Sequence, residues 1–567
     1  MSIEQKVNKW LSAPFDSETQ EKVRALQKKP DLLEDAFYTD LAFGTGGMRG
    51  LVGVGTNRIN KYTLGKNSQG ISHYLKETFP NQNIKVVIAY DCRNQSQSLA
   101  ETCASVFTAN GIHCYLFKEL RPTPELSFAV RYLKAQAGIV LTASHNPPEY
   151  NGYKVYSADG GQLVPPEDQQ IQKAIEETPF EAIRFKGKPE LLFKIDSEID
   201  IPYRQSVRKV ALQSQHKKNL SVVFTPIHGT SITLFPDILK SAGYENLHIV
   251  SEQAQPDGNF PTVISPNPEE KEALSLAVQK ATVLAADIVL GTDPDADRLG
   301  VVIRDLNSNW YYLNGNQIMA VLTEYLLQKK KESGQLTSKH FIATTVVSTP
   351  LIEKMASAYN VQFKSTLTGF KWIGKLIQEH PELEFIGGGE ESYGYLVGDE
   401  VRDKDALSTG LLACEIAESA KVSGRSIFHL LLDCYQKYGA FKERLVSITK
   451  EGKKGLEVIA QLMSSFRANP PESIGGIVVI RIEDYLTSQS LNVVSGQITP
   501  LSYPLSNVLK IILDEGSEIA LRPSGTEPKI KFYFSVQAPY NPDVAWAHQE
   551  AQLEQKIDLF VNEIVPQ

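Results

Sequence analysis

Three aspartates stand at alternate positions in Asp293-Pro-Asp-Ala-Asp-Arg298, a spacing that lets one tight loop turn three carboxylates toward a common point. Carboxylates held so close repel one another unless a cation offsets them, and hard divalent cations prefer oxygen ligands. Calcium sensing of the EF-hand type is excluded. That loop needs Gly at position 6 and Glu at position 12, where Arg298 and Arg304 stand. A strand followed by Asp-x-Asp also suits a phosphatase with Asp293 as nucleophile, although the third carboxylate fits a metal cage better.

A second reactive residue sits in Thr142-Ala-Ser-His-Asn-Pro147, after the apolar run Ala137 to Leu141. The stretch fails as a hydrolase nucleophile elbow, because Thr142 and Asn146 occupy the glycine positions. Neighbours at a strand end point to opposite sides, so His145 is not expected to serve as the base of Ser144. What remains is a nucleophile partnered by a metal loop and by anion-binding loops, an arrangement for phosphoryl transfer.

Several stretches could supply those loops. Gly44-Thr-Gly-Gly-Met-Arg49 lets backbone approach an anion that Arg49 can clamp, and it misses the dinucleotide fingerprint at its third glycine. Arg522-Pro-Ser-Gly-Thr526 joins a forked cation, two hydroxyls and a glycine, donors enough to surround a phosphate dianion. Gly389-Glu-Glu-Ser-Tyr-Gly394 offers carboxylates and a hydroxyl to vicinal sugar hydroxyls. Within Arg402-Asp-Lys-Asp405, a partly buried Lys404 could move protons. Gly369 to Leu376 nearly fits a P-loop, but Leu376 replaces the Mg-binding hydroxyl.

These residues must be delivered by strands. Short β-branched runs alternate with helical patterns, which predicts α/β architecture. Runs ending at Tyr90, Leu141, Phe224, Leu290 and Ile386 each stop in a polar or Gly-rich loop, where open α/β sheets bind ligands. Ala137-Gly-Ile-Val-Leu-Thr-Ala-Ser144 and Ala286-Asp-Ile-Val-Leu-Gly-Thr-Asp293 look alike and predict a repeated unit facing one cleft. A chain of 567 residues suggests about four domains at ~150 residues each. Polar joins place their bounds at 1–205, 206–310, 311–440 and 441–567, the last a smaller α+β domain with strands near Ile477, Val508 and Ile530.

Composition narrows the partners. A net charge of -8 without any Lys/Arg-rich run argues against nucleic acid. No apolar run reaches the ~20 residues that cross a bilayer, and the amphipathic N-terminus lacks a secretory core, so no membrane partner and a cytoplasmic location are expected. Five cysteines without a CxxC pair predict reduced thiols rather than disulfides or zinc. Nothing predicts a coiled coil, and the chain is expected to be a monomer or weak dimer.

Taken together and in this order, the loops Thr142 to Pro147, Asp293 to Arg298, Gly389 to Gly394 and Arg522 to Thr526 resemble the phosphoserine, metal, sugar and phosphate loops of the α-D-phosphohexomutase superfamily. Phe43 to Arg49, Asn151 to Tyr156 and Thr368 to Trp372 look closest to its phosphoglucomutase-2-like branch, which holds phosphopentomutases and glucose-1,6-bisphosphate synthases. The resemblance implies three similar α/β units with mixed sheets and a distinct fourth domain in a heart shape around a central cleft. It implies Mg2+, one per chain, held by Asp293, Asp295, Asp297 and a phosphate oxygen on Ser144. Arg49, Lys154 and Arg298 would face the transferring phosphoryl group, with Lys404 as proton handler and Lys154 or His145 as alternatives.

Thr368, Gly369, Glu390 and Ser392 would meet the sugar, and Arg522, Ser524, Gly525 and Thr526 the phosphate that is not reacting. Lys531 stands where many relatives have arginine. The implied activity is interconversion of glucose 1- and 6-phosphates through a glucose 1,6-bisphosphate intermediate, also the activator. Mannose or pentose phosphates are the alternatives within the family, and a metal-dependent sugar phosphatase or a non-catalytic sugar-phosphate sensor outside it.

Overall fold

The structure is a computed structural model, and it describes residues 1–44, 46–211, 218–450, 452–524 and 529–566. The chain forms two compact units. One comprises Met1–Ile318 with Phe370–Ile427, and the other Met319–Gly369 with Phe428–Gln567.

The first unit holds two sheets of matching design. In one, β1 (Gly47–Leu51), β2 (Lys85–Tyr90), β3 (His113–Phe117), β4 (Ala137–Leu141), β5 (Tyr150–Ser157) and β6 (Leu192–Ile195) lie in the order β1-β5-β4-β2-β3-β6. In the other, β7 (Val222–Thr225), β8 (Leu247–Ile249), β9 (Ile288–Thr292), β10 (Leu299–Arg304) and β11 (Trp310–Leu313) lie in the order β11-β10-β9-β7-β8. Strands β4 and β9 hold the same place. Each pairs in parallel with one neighbour, β2 or β7, and antiparallel with the other, β5 or β10. The repeat expected from the two similar segments is thus a repeat of topology, and it delivers Ser144 and Asp293 from equivalent strand ends.

Both strands are buried on both faces, which is why they read as continuous apolar runs rather than as alternation. Val86, Ile88, Ile139 and Leu141 pack on Leu64, Ile71 and Phe107 from the covering helices, all without measurable exposure. Each such side chain contributes about 1.5–3 kcal/mol of burial. Helix Lys61–Thr78 is started by Asn60, whose side chain accepts the N–H groups of Tyr62 and Thr63. The N-terminal helices Ile3–Trp10, Ser17–Leu26 and Pro30–Phe37 make a small core of their own, with Trp10 stacked on Phe15 at 4.3 Å. The polar stretch from Ile195 to Tyr203 is largely the helix Ser197–Arg208, which buries Ile199 and Tyr203.

In the second unit, β12 (His340–Thr345) and β13 (Gln362–Thr366) pair in parallel. The first unit keeps the antiparallel pair β14 (Glu384–Gly389) and β15 (Tyr395–Val397). The C-terminal part of the second unit is rich in β structure. Its strands are β16 (Ala440–Thr449), β17 (Ser473–Ile474), β18 (Ile477–Asp484), β19 (Gln489–Asn492), β20 (Ile498–Pro500), β21 (Leu509–Leu513), β22 (Glu518–Pro523) and β23 (Lys529–Ala538). They follow the order β16-β23-β22-β21-β18-β19-β20, with β17 paired to β18 and helix Trp546–Ile564 against β16 and β23. The protein therefore has mixed-sheet α/β domains followed by a β-rich C-terminal domain.

Candidate active site

Ser144 lies in the turn that follows β4, buried, with a left-handed φ of 51°. For a residue with a Cβ this conformation costs about 1–2 kcal/mol, so the surroundings must impose it. The Ser144 N–H donates to Thr142 Oγ1 at 2.8 Å. Arg93, in the loop after β2, donates from its Nη atoms to the carbonyl oxygens of Ser144 at 2.6 Å, Pro147 at 2.8 Å and Tyr150 at 3.0 Å, and also to Asn146. The buried Asp91 carboxylate backs this guanidinium, 3.4 Å from Nε, and accepts the Arg93 N–H and the Ser96 hydroxyl. Arg93 thus folds the serine loop, a role that loop spacing alone did not reveal. Gly152 of β5 is needed beneath it, because a Cβ there would come within 2.4 Å of the Thr142 carbonyl oxygen.

The aspartate loop follows β9. Its Asp293 accepts the Ser144 hydroxyl on Oδ2 at 2.7 Å, and on Oδ1 the N–H groups of Asp297 at 3.1 Å and Arg298 at 3.0 Å. Asp293, Asp295 and Asp297 are all buried and can bring one carboxylate oxygen each to within 4.8 Å of the others. Lys154 of β5 donates to Asp295 Oδ2 at 2.7 Å and to Asp297 Oδ2 at 3.3 Å. Thr123 is a further residue that motif reasoning missed. At the start of helix Thr123–Leu133, it donates its N–H to the Asp295 carbonyl at 2.9 Å and its hydroxyl to Asp295 Oδ2 at 3.0 Å.

Even so, Asp295 Oδ1 and Asp297 Oδ1 are buried without a hydrogen-bond donor among the described residues. Buried carboxylate oxygens without donors are costly, and a cation bound by oxygen is the chemistry that satisfies them. The donor set therefore fits a hard divalent metal. Burial and the two neighbouring carboxylates push the Asp293 carboxyl well above its ordinary range. Burial acts the same way on Asp295, but the Lys154 ammonium outweighs it and holds that carboxyl low.

The expectation that strand alternation would part Ser144 from His145 does not hold. The left-handed turn ends the alternation, and His145 Nδ1 lies 3.2 Å from Ser144 Oγ. Burial, with the Arg298 and Arg49 cations nearby, pushes the imidazole well below its usual pKa, so it is neutral at pH 7. Arg49 of β1 donates to Asn146 Oδ1 at 2.6 Å, bringing the Gly-rich stretch to the serine loop. Arg298 pairs with Glu269, a partner that sequence reading did not identify.

Lys404 also reaches this cluster, 2.9 Å from Asp297 Oδ2 and 3.4 Å from Asp403 Oδ1. Burial lowers its pKa, but Asp297, Asp403 and Glu390 outweigh burial and hold the ammonium above the usual lysine range. Gly394 makes room for it, since a Cβ there would meet Lys404 Cδ at 2.3 Å. Glu390 is buried and Ser392 half-buried in the loop after β14, which the Leu299 N–H ties to the metal loop through the Tyr393 carbonyl at 3.0 Å.

Thr368, Gly369 and the expected phosphate loop belong to the second unit. Arg522 and Lys531 are directly opposed on β22 and β23, so their side chains share one face, and the Ser524 N–H donates to the Lys529 carbonyl at 2.7 Å. Gly525 and Thr526 lie outside the described residues. All five cysteines are free thiols, and among the described residues no helix is long and apolar enough to cross a membrane.

Comparison with known proteins agrees with this geometry. Models of phosphoglucomutase/phosphomannomutase α/β/α domains I, II and III match residues 40–182, 202–307 and 314–438. A phosphoglucomutase of Staphylococcus epidermidis is 40% identical over 513 residues, covering 89% of this chain and 92% of its own. One of Staphylococcus aureus is 40% identical over 516 residues, covering 90% and 92%. Among solved structures, a phosphoglucomutase/phosphomannomutase family protein of Burkholderia thailandensis shares the fold with TM-score 0.66 at 19% identity, covering 92% of this chain and 97% of its own. Parafusin, a phosphoglucomutase of Paramecium, does so with TM-score 0.67 at 17% identity, covering 92% and 95%. The chain belongs to the phosphoglucomutase/phosphomannomutase family of the α-D-phosphohexomutase superfamily.

Proposed function

We propose that this protein is a phosphoglucomutase that interconverts glucose 1-phosphate and glucose 6-phosphate through a phosphorylated Ser144 and a glucose 1,6-bisphosphate intermediate. The observation that carries the proposal is the junction of Ser144 Oγ with Asp293 Oδ2 at 2.7 Å, beside Asp295 Oδ1 and Asp297 Oδ1, which lack donors among the described residues. A relative 40% identical over most of the chain and named phosphoglucomutase supports glucose as the sugar. In this reading Asp293, Asp295 and Asp297 hold one Mg2+, which supplies positive charge to a phosphoryl group when bound.

A phosphoserine carries about -1.5 to -2 charge at pH 7, which Arg49, Lys154 and Arg298 help to balance. In-line transfer depends mostly on positioning and charge stabilisation, so the rigid Arg93 clamp on the serine loop matters as much as nucleophile strength. When Ser144 accepts a phosphoryl group its hydroxyl must lose a proton, and neutral His145 Nδ1 at 3.2 Å is within reach of it. Lys404 remains our candidate for the proton on the sugar oxygen. Held above the ordinary lysine range, its ammonium would donate to the sugar oxygen that leaves when Ser144 takes a phosphoryl group back from the bisphosphate, and the neutral amine so formed would accept the proton of the next sugar hydroxyl to be phosphorylated. Glu390 and Ser392 would bind sugar hydroxyls, and Thr368 and Gly369 are kept as further sugar-binding residues. The loop Arg522 to Thr526, with Lys531, would hold the second phosphate. We keep four domains divided near 205, 310 and 440, a cytoplasmic location and a monomer or weak dimer as part of the same proposal.

The test is a side-by-side rate comparison on glucose, mannose and ribose 1-phosphates with Mg2+ and glucose 1,6-bisphosphate, combined with peptide mapping of phosphate. Preference for glucose with phosphate on Ser144 is the expected result. Phosphate on Asp293 would overturn the mutase reading in favour of a phosphatase, and preference for mannose or ribose would overturn the substrate.

A further inference from the structure

A second charged site lies in the first unit, at the other end of the helix whose first residue holds Asp295. Thr123 starts that helix, and Arg131 lies eight residues on, about 12 Å away at 1.5 Å per residue. There Arg131, Lys134, Gln136, Asp159, Gln378 and Arg402 line an open cavity of about 400 Å3. Three of these side chains are cationic. Cations at a helix C-terminus ordinarily answer the helix dipole, and Arg131 and Lys134 stand there. Arg402 comes from another element, the loop that carries Lys404, and it is 91% buried by its 9% exposure.

Arg402 is not used up by its neighbours. Its Nη atoms reach the Asp399 carbonyl, the Val401 carbonyl at 3.3 Å and, at 3.5 Å, the exposed Asp399 carboxylate. Its Nε is buried without a hydrogen-bond partner among the described residues. The Arg131 guanidinium also donates to the Asp399 carbonyl, so two like charges converge on one oxygen. The Asp159 carboxylate is engaged by the Ser157 hydroxyl at 2.5 Å and the Gly161 N–H at 3.0 Å. Burial and the nearby Arg131 lower the Arg402 pKa, and the Asp399 and Asp159 carboxylates offset this only in part. Crowded cations with a spare buried donor are a receptor for a phosphate-class dianion, which takes several charge-assisted hydrogen bonds at once.

We propose that Arg131, Lys134 and Arg402 bind a small phosphate-bearing anion at an accessory site apart from Ser144. The Arg402 N–H donates to Ser127 Oγ at 2.9 Å, within the same helix, and Lys404 lies two residues further along the loop. Occupancy therefore bears on the position of Lys404. That effect on turnover rests on the proton role proposed for Lys404, whereas binding itself does not.

Equilibrium dialysis of the full chain tests the site, with radiolabelled inorganic phosphate in one arm and glycerol 3-phosphate in the other to separate free ion from ester. The Arg131→Gln/Lys134→Gln double variant should lose one equivalent of bound ligand, or weaken that site by about tenfold, the size expected for charge-assisted contacts. Arg131→Lys should retain it, and kcat/KM without added anion should stay unchanged in both. Should the double variant fold poorly, Lys134→Gln alone changes only an exposed residue and should weaken the same site by about threefold. Equal stoichiometry and affinity in wild type and the double variant, or in wild type and Lys134→Gln where the double variant folds poorly, would overturn the proposal.

Discussion

Removing the Lys154 ammonium separates the two cations that the aspartate loop can use. Its Nζ lies 2.7 Å from Asp295 Oδ2 and 3.3 Å from Asp297 Oδ2, and the side chain is 12% exposed. At an effective dielectric of about 20, each contact is worth roughly 5–6 kcal/mol of attraction, most of it offset by burying the charges. Taking one partner from a buried pair costs about 3–5 kcal/mol, because the other charge stays behind. Lys154→Met should therefore destabilise the metal-free first unit by about 3–5 kcal/mol. Mg2+ should restore much of this, since a ligand bound only by the folded state adds about 2.7 kcal/mol at a hundredfold excess over its Kd. The variant should gain more from Mg2+ than wild type, because Lys154 no longer competes for the same oxygens. Hydrogen exchange in β9 and β10, with chelator and with Mg2+, reads this directly. Equal Mg2+ stabilisation of variant and wild type would refute the competition, and a variant as stable as wild type in chelator would refute the carboxylate repulsion.

Further perturbations probe the neighbouring parts of the site. Ser144→Ala should abolish phosphate incorporation and mutase turnover while the protein stays folded, as checked by peptide mapping and circular dichroism; full activity would rule out the phosphoserine. Arg93→Ala strips donors from the carbonyls of Ser144, Asn146, Pro147 and Tyr150 and leaves Asp91 unpaired. It should cost about 3–5 kcal/mol and lower kcat with little change in KM, and a wild-type exchange rate across 142–150 would contradict that role. Glu167 has its carboxyl raised to about 7, first by burial and then by Asp159. The folded state then holds a proton that the unfolded state has released, so stability falls as pH rises from about 4.5 to 7, by roughly 2–3 kcal/mol. Glu167→Gln should flatten that slope in thermal melts, and an unchanged slope would exclude Glu167 as its source.

Much of the site was legible because its chemistry is local. Alternate carboxylates in Asp293 to Arg298, and a serine at the end of an apolar run, carry their reactivity within a few residues. The strands around them were legible too, because β4 and β9 are buried on both faces and so appear as unbroken apolar runs. Arg93 and Thr123 left no such trace. A lone arginine after a strand and a threonine at a helix start are common, and their importance lies in partners 51 and 172 residues away. His145 was misjudged for a related reason. Period-two alternation describes extended backbone, and the left-handed Ser144 had already left it.

The sequence by itself determined the reactive groups, their order along the chain and the α/β pattern of strands that present them, since composition, spacing and apolar periodicity are properties of neighbouring residues. Only the tertiary structure decided which charges oppose each other. Lys154 and Lys404 converge on Asp297, Arg298 turns to Glu269, and Asp295 Oδ1 and Asp297 Oδ1 are left without donors among the described residues. Those outcomes depend on distances between strands far apart in the chain, and burial there makes each unpaired charge costly enough to define a function.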